Sequence, residues 1–361
     1  MYMYVNNCKV DHLLHVAYLI VMTDCGTNRK VSERIMGWVE RFQTLILLLA
    51  VAIGIIIGQV QGVQVYAEFL IMPFLILLFY GMFLSISLGN IRESFANTRF
   101  VGTSVLINFV WTPLLVWGLG WVFLSDHPYL WLGFFMLMVT PCTDWYIIFT
   151  GMCKGNINQS IAILPLNLIL QLALLPIYLY FFTGVIGTFD YAEIIKSIIL
   201  VLIIPMVAAI TTRKLFYSMG KASIIEERVI PFFNRANLIF LCLAIAAMFA
   251  SQGNLLLQNM GILAMLFMPV ILFFVINLFV GEGIGKVMKF SRADTISLDF
   301  TILARNSPVA LAIAVMAFPE EPLVALALII GPLLELPLLA IVSRVLLKIR
   351  SLEVKEQEHG M

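Results

Sequence analysis

Charge is scarce in this 361-residue chain: Lys and Arg number 22, Asp and Glu 21, together 12% of the residues, with 4 histidines. So few ionisable groups exclude a highly charged, solvated or disordered chain. The near-zero net charge carries no signal for a nucleic-acid partner, and none is expected. Cysteine is also sparse. Cys8, Cys25, Cys142, Cys153 and Cys242 show no paired spacing, so neither a CxxC metal pattern nor a disulfide framework is present. No cofactor and no metal are expected. Apolar residues fill the space: 61% of the chain is hydrophobic, far outside the soluble-domain average.

Apolar runs long enough to cross a bilayer fit ten spans, at roughly 42–60, 66–87, 100–124, 129–152, 157–182, 193–212, 231–250, 260–285, 294–318 and 322–347. Lys and Arg test that count. They sit before the first span (Arg29, Lys30, Arg34, Arg41), in alternate connections (Arg92, Arg99; Lys154; Arg213 to Arg235; Lys286, Lys289, Arg292) and after the last (Arg344, Lys348, Arg350, Lys355). Only Lys196 spoils the alternation. The positive-inside rule then puts both termini in the cytoplasm of a multi-pass cell-membrane protein. Residues 1–35 read as a cytoplasmic N-terminal extension; their apolar patch, Leu13 to Met22, is too short to span and lacks a signal peptide's basic start and cleavage site. Residues 349–361 form a cytoplasmic tail.

Ten spans divide into five and five, residues 36–190 and 191–348, and an odd-numbered repeat must be inserted upside down. The expected fold is all-α: ten transmembrane helices in two inverted five-helix repeats. Prolines support the pairing. Pro113 and Pro269 interrupt the third and eighth spans, Pro141 and Pro308 the fourth and ninth, Pro176 and Pro337 the fifth and tenth. Breaks in corresponding spans point to a transporter's binding site, where half-helix ends face a shared cavity. The broken fourth and ninth spans are expected to cross there.

The rare embedded charges sit beside those prolines. Arg305 lies in Ala304-Arg305-Asn306-Ser307-Pro308, Asp144 in Thr140-Pro141-Cys142-Thr143-Asp144, and Glu335 in Gly331-Pro332-Leu333-Leu334-Glu335. A guanidinium at bilayer depth costs several kcal/mol unless it meets a partner or water. Arg305 therefore pairs with Asp144 or Glu335, or holds an anionic solute through its fork of donors. Asp144 and Glu335 are the candidate proton carriers. Asn306 and Ser307 line the break, while Asn108, Asn167 and Gln171 suit packing between helices. Asp299 is a local salt-bridge partner or a transport residue. Cys142 is a thiol ligand or a small apolar filler.

Thr140-Pro141-Cys142-Thr143, with Lys154-Gly155-Asn156 after it, resembles the fourth-span signature of Acr-type arsenite efflux permeases in the bile acid:sodium symporter superfamily. Leu311 to Ala317, Gly331 to Pro337 and Glu33 to Trp38 are similar to further motifs, so the likeness covers about residues 33–348. It implies a panel domain, a core domain and a crossing of broken helices. It also implies an essential thiol at Cys142 and a carboxylate at Glu335. The chain departs from the family at Arg305-Asn306-Ser307-Pro308, where arsenite permeases carry paired Asn, an aromatic and Glu. The sodium-coupled branch places a Glu near Thr301 and a Gln at Arg305, and both are lost here.

Proton-coupled efflux of arsenite, antimonite or a related small oxyanion or neutral solute is the leading expectation. Sodium-coupled uptake of an organic anion is the alternative, disfavoured because a fixed guanidinium repels a second cation. An intramembrane enzyme or a sensor ranks lower: no HExxH or paired-Asp motif occurs, and Gly281 to Lys286 is one residue short of a phosphate loop. That glycine stretch reads as a flexible helix end. Trp131, Tyr178 and Tyr180 read as interfacial anchors.

Overall fold

A computed structural model of the chain describes residue 46 and residues 49–85, 97–143, 145–186, 192, 195–196, 199–258, 261, 264–318 and 321–359. Asp144 and the N-terminal extension lie outside the described residues. The elements are α1 (49–57), α2 (Val63–Ser85), α3 (Thr98–Leu124), α4 (Pro128–Met138), α5 (Trp145–Met152) and α6 (Ile157–Ile186). They continue with α7 (Ile199–Ser218), α8 (Ile230–Gln258), α9 (Phe267–Val287), α10 (Arg292–Leu303), α11 (Ser307–Ala317) and α12 (Pro322–His359).

Among the described residues, 7 helices are long and apolar enough to cross a membrane, and α4 and α11 are shorter apolar helices. Lipid offers no hydrogen bonds, so a spanning backbone must satisfy itself, and helices do that residue by residue. Outward faces confirm the environment. Phe69, Phe279 and Val287 are 78%, 74% and 79% exposed, an apolar exterior that water would not tolerate at this scale.

Prolines do less than the sequence suggests. The α6 helix runs through Pro165 and Pro176, and α12 runs through Pro332 and Pro337. Pro269 is the third residue of α9, where its missing N–H removes no helix bond. Interruptions were expected at Pro176, Pro269 and Pro337. One lost bond inside a long helix packed on its neighbours is tolerable. In α3 the effect is intermediate. A π turn, Ile107–Trp111, precedes Pro113, and the carbonyl of Phe109, four residues back, accepts the Tyr178 hydroxyl at 2.5 Å. Full breaks occur in the fourth and ninth spans, between α4 and α5 and between α10 and α11.

The helices pack in two sets of contacts. α2 packs on α7 and α8, while α4 packs on α12 and α3, and α10 on α9 and α5. Small residues set the closest approaches. A Cβ placed on Gly133 of α4 would lie 2.6 Å from the Val324 carbonyl oxygen and 2.6 Å from the Ala327 methyl of α12. Gly133→Val is therefore expected to lower the melting temperature of the detergent-solubilised protein, at a cost of about 1–3 kcal/mol for overpacking. Unchanged melting would mean that α4 and α12 do not touch there.

Candidate functional site

The two breaks meet. Proline at 141 biases Thr140 away from helical geometry, and Ala304, capping α10, is extended at φ −75°, ψ 138°. Each break thus exposes backbone groups that lipid cannot satisfy. They satisfy each other: Pro141 and Arg305 form an antiparallel bridge. In it the Cys142 N–H donates to the Ala304 carbonyl at 3.1 Å, and the Asn306 N–H to the Thr140 carbonyl at 2.7 Å. The Thr140 hydroxyl lies 3.1 Å from the Met136 and Leu137 carbonyls and 3.2 Å from that of Asn306. Thr143, next along the break, reaches Met82 of α2 with its hydroxyl 3.6 Å from the sulfur.

Four half-helix ends converge here, with the C-termini of α4 and α10 partially negative and the N-termini of α5 and α11 partially positive. Arg305 uses the negative end of α10. Its side chain is buried and turns back to donate to the Ile302 carbonyl at the end of α10. It donates also to Asn108 Oδ1 of the α3 π turn at 3.3 Å, and lies 4.9 Å over the Phe273 ring centroid of α9. The expected pairing with Glu335 takes another form. The buried Glu335 carboxylate accepts the backbone N–H of Arg305 at 2.7 Å, while the guanidinium faces away along α10.

Donors are left over. Arg305 Nε and Nη1 and Asn306 Nδ2 are buried without an acceptor. Asn306 Oδ1 caps α11 by accepting the Val309 N–H at 3.4 Å. Ser307 opens α11 beside Pro308, and a Cβ on Gly331 of α12 would come 3.3 Å from the Ser307 Cβ. Cys142 is 5% exposed and is an electrostatic neighbour of the Arg305 guanidinium. The second thiol of this region, Cys153, lies elsewhere, with its sulfur 3.5 Å from the Ser343 carbonyl of α12. So the structure gathers Cys142, Arg305, Asn306, Ser307, Pro141, Pro308 and Glu335 at one crossing.

A family model described as the Sodium Bile acid symporter family matches residues 72–259, just over half of the chain. The chain belongs to this family. It is a multi-pass membrane transporter of the symporter family, and not an enzyme. The chain is similar to the arsenical-resistance protein Acr3 of Corynebacterium glutamicum, 23% identical over 88% of this chain and 91% of that protein. The Acr3 of Alkaliphilus metalliredigens is 22% identical over 87% and 94%. The uncharacterized protein YbaS of Bacillus subtilis is 22% identical over 79% and 90%.

Several residues of this family member take roles that the sequence did not suggest. Lys154-Gly155-Asn156 fastens the α5–α6 turn to α10. The Asn156 N–H donates to the Ala293 carbonyl at 2.9 Å, and its side-chain amide to Asp294 at 2.7 Å. Trp131 is no interfacial anchor: it is 6% exposed and packs against Gly120, which has no room for a Cβ. Tyr178 braces the π turn, while Tyr180 is 56% exposed. Gly281 and Gly285 lie inside α9 and form its seam with α10, so that stretch is not a loose helix end. Asp299 does not pair with Arg305; the charged groups acting on it are Glu282 and Arg292. Asn167 and Gln171, one turn apart on α6, are buried with no hydrogen-bond partner. Asn108 and Phe273 were missed as Arg305 partners, although Asn108, polar in an apolar run five residues before Pro113, was a usable signal.

Proposed function

We propose that this transporter exports arsenite or a related small oxyanion or neutral hydroxylated solute against protons, by alternating access at the crossing of the fourth and ninth spans. The observation that carries this reading is the trio of buried donors, Arg305 Nε and Nη1 and Asn306 Nδ2, without acceptors. Buried donors without partners cost free energy, and a solute bearing several oxygens would remove that cost. Asn306, the N-cap of α11, holds its donor at a helix N-terminus, which favours negative charge. The Cys142 thiol beside them suits a thiophilic centre. The named activity of the Acr3 relatives, arsenical resistance, supports this solute class.

Asp144 and Glu335 carry the proton in this reading. A solute that engages Arg305 alters the field at both carboxyls, so solute and proton exclude one another, as antiport requires. The ten-span count, the inverted five-helix repeats and the cytoplasmic termini belong to the same proposal. The paired breaks and the alternating Lys and Arg support them. Sodium is disfavoured because a guanidinium already occupies the carbonyl and amide oxygens that a cation would use.

Radiotracer flux in proteoliposomes tests this. Arsenite and antimonite flux is expected to follow an imposed pH gradient and to persist when choline replaces sodium. Uptake of an organic anion that stops without sodium, with no arsenite flux, would sink the proposal.

A further inference from the structure

One buried carboxyl group takes no part in the crossing. Asp299, midway along α10, is 0% exposed, and neither of its oxygens meets a hydrogen-bond donor. It presses on α9, where a Cβ at Gly281 would overlap its Oδ1. The elements packed on α10 are α3, α5, α6, α9 and α12, with α11 following it in the chain. From all of these, the charged groups acting on Asp299 are Glu282 of α9 and, on its own helix, Arg292. Arg292 is committed elsewhere. Its Nη1 lies 2.6 Å from each oxygen of Glu282, at the rim of the bundle.

Two carboxylates are both acceptors only, so the Asp299 and Glu282 side chains can be joined only through a proton. A bare carboxylate at full burial with no donor is a state that proteins avoid by neutralising the group. We infer that Asp299 and Glu282 form a second proton-binding site, a carboxyl pair that holds one proton between α9 and α10, away from the crossing. Glu282, part-exposed, exchanges that proton with water, and Asp299 keeps it inside. Gly281 is glycine because Asp299 needs the room.

The pair also reaches the solute site. Asp299 precedes Ile302 by one turn, and the Ile302 carbonyl is where the Arg305 guanidinium rests. Loss of the proton puts a negative charge behind that guanidinium and gain of a proton removes it, so the pair sets the field in which Arg305 meets the solute. This second step rests on the proposed reading of the crossing, while the shared proton does not.

Infrared difference spectra of the full-length protein in lipid, acid minus alkaline, test the pair directly. The wild type is expected to show a protonated-carboxyl C=O band that Asp299→Asn removes, Glu282→Gln displaces and Glu335→Gln leaves in place. If no protonated-carboxyl band of the wild type is lost in Asp299→Asn, the pair is overturned. Asn matches Asp in shape, and if that variant failed to fold, the displaced band of Glu282→Gln would decide. In proteoliposomes, Asp299→Asn is expected to lose about tenfold or more of the pH-driven solute flux, about 1.4 kcal/mol of coupling. Full pH-driven flux in that variant overturns the link to Arg305. If the wild type itself shows no pH-driven flux, the reading of the crossing fails, and the infrared result still decides the pair.

Discussion

Arg305→Lys is expected to lose about as much solute transport as Arg305→Ala, on the order of a hundredfold, because the site uses the fork and not merely the charge. The guanidinium reaches the Ile302 carbonyl and Asn108 Oδ1 from one nitrogen, lies over Phe273, and keeps Nε and Nη1 for the solute. Lysine has a single ammonium, which can rest on the carbonyl or meet a solute oxygen but cannot do both in one plane. Alanine leaves Asn108 and the end of α10 without their donor, and leaves a cavity shaped for a guanidinium. Added guanidinium ion is therefore expected to restore part of the flux in Arg305→Ala and to do nothing for the wild type. Initial rates in everted vesicles measure both. Near-wild-type flux in Arg305→Lys would show that a point charge suffices, and the donor geometry argued above would be wrong.

The broken spans and the buried arginine were legible in the sequence for a physical reason. Proline next to a rare ionisable residue in an apolar run is a costly combination, and a membrane keeps it only where something satisfies it. That reasoning located the break at Pro141 and the break at Pro308, which the Pro141–Arg305 bridge joins. It overreached at Pro176 and Pro337, because a missing amide in a long packed helix costs one bond, and nothing in the sequence shows whether a neighbour repairs it. At Pro113 the neighbour is the Tyr178 hydroxyl, from a helix more than sixty residues on. The direction of the Arg305 side chain was equally hidden. It depends on an oxygen at the end of its own helix and on Asn108 from a π turn, and a π turn leaves no mark in residue spacing. Trp131 and the glycines of α9 were misread because lipid-facing and protein-facing positions are equally apolar, so hydrophobic periodicity does not separate them.

Glu335→Gln and Glu335→Ala are expected to fail in different ways, and the difference isolates the proton. In the protein Glu335 Oε1 accepts the Arg305 backbone N–H at 2.7 Å. The side-chain oxygen of glutamine can accept the same bond, so the crossing stays assembled while the titratable group is lost. Alanine removes the acceptor as well and leaves a buried amide unsatisfied, at about 1–3 kcal/mol. Melting of the Gln variant is thus expected close to the wild type and that of the Ala variant clearly below it. The transport readout is the pH profile. The wild-type flux is expected to change steeply with pH; the Gln variant is expected to be slow and to lose most of that dependence, because of the two carriers proposed with the crossing only Asp144 is left to titrate. A steep pH profile in Glu335→Gln that disappears in Asp144→Asn would move the proton to Asp144 alone. Steep profiles in both single variants and in their double would remove the crossing carboxyls from the coupling altogether, and the proton would have to enter through Asp299 and Glu282.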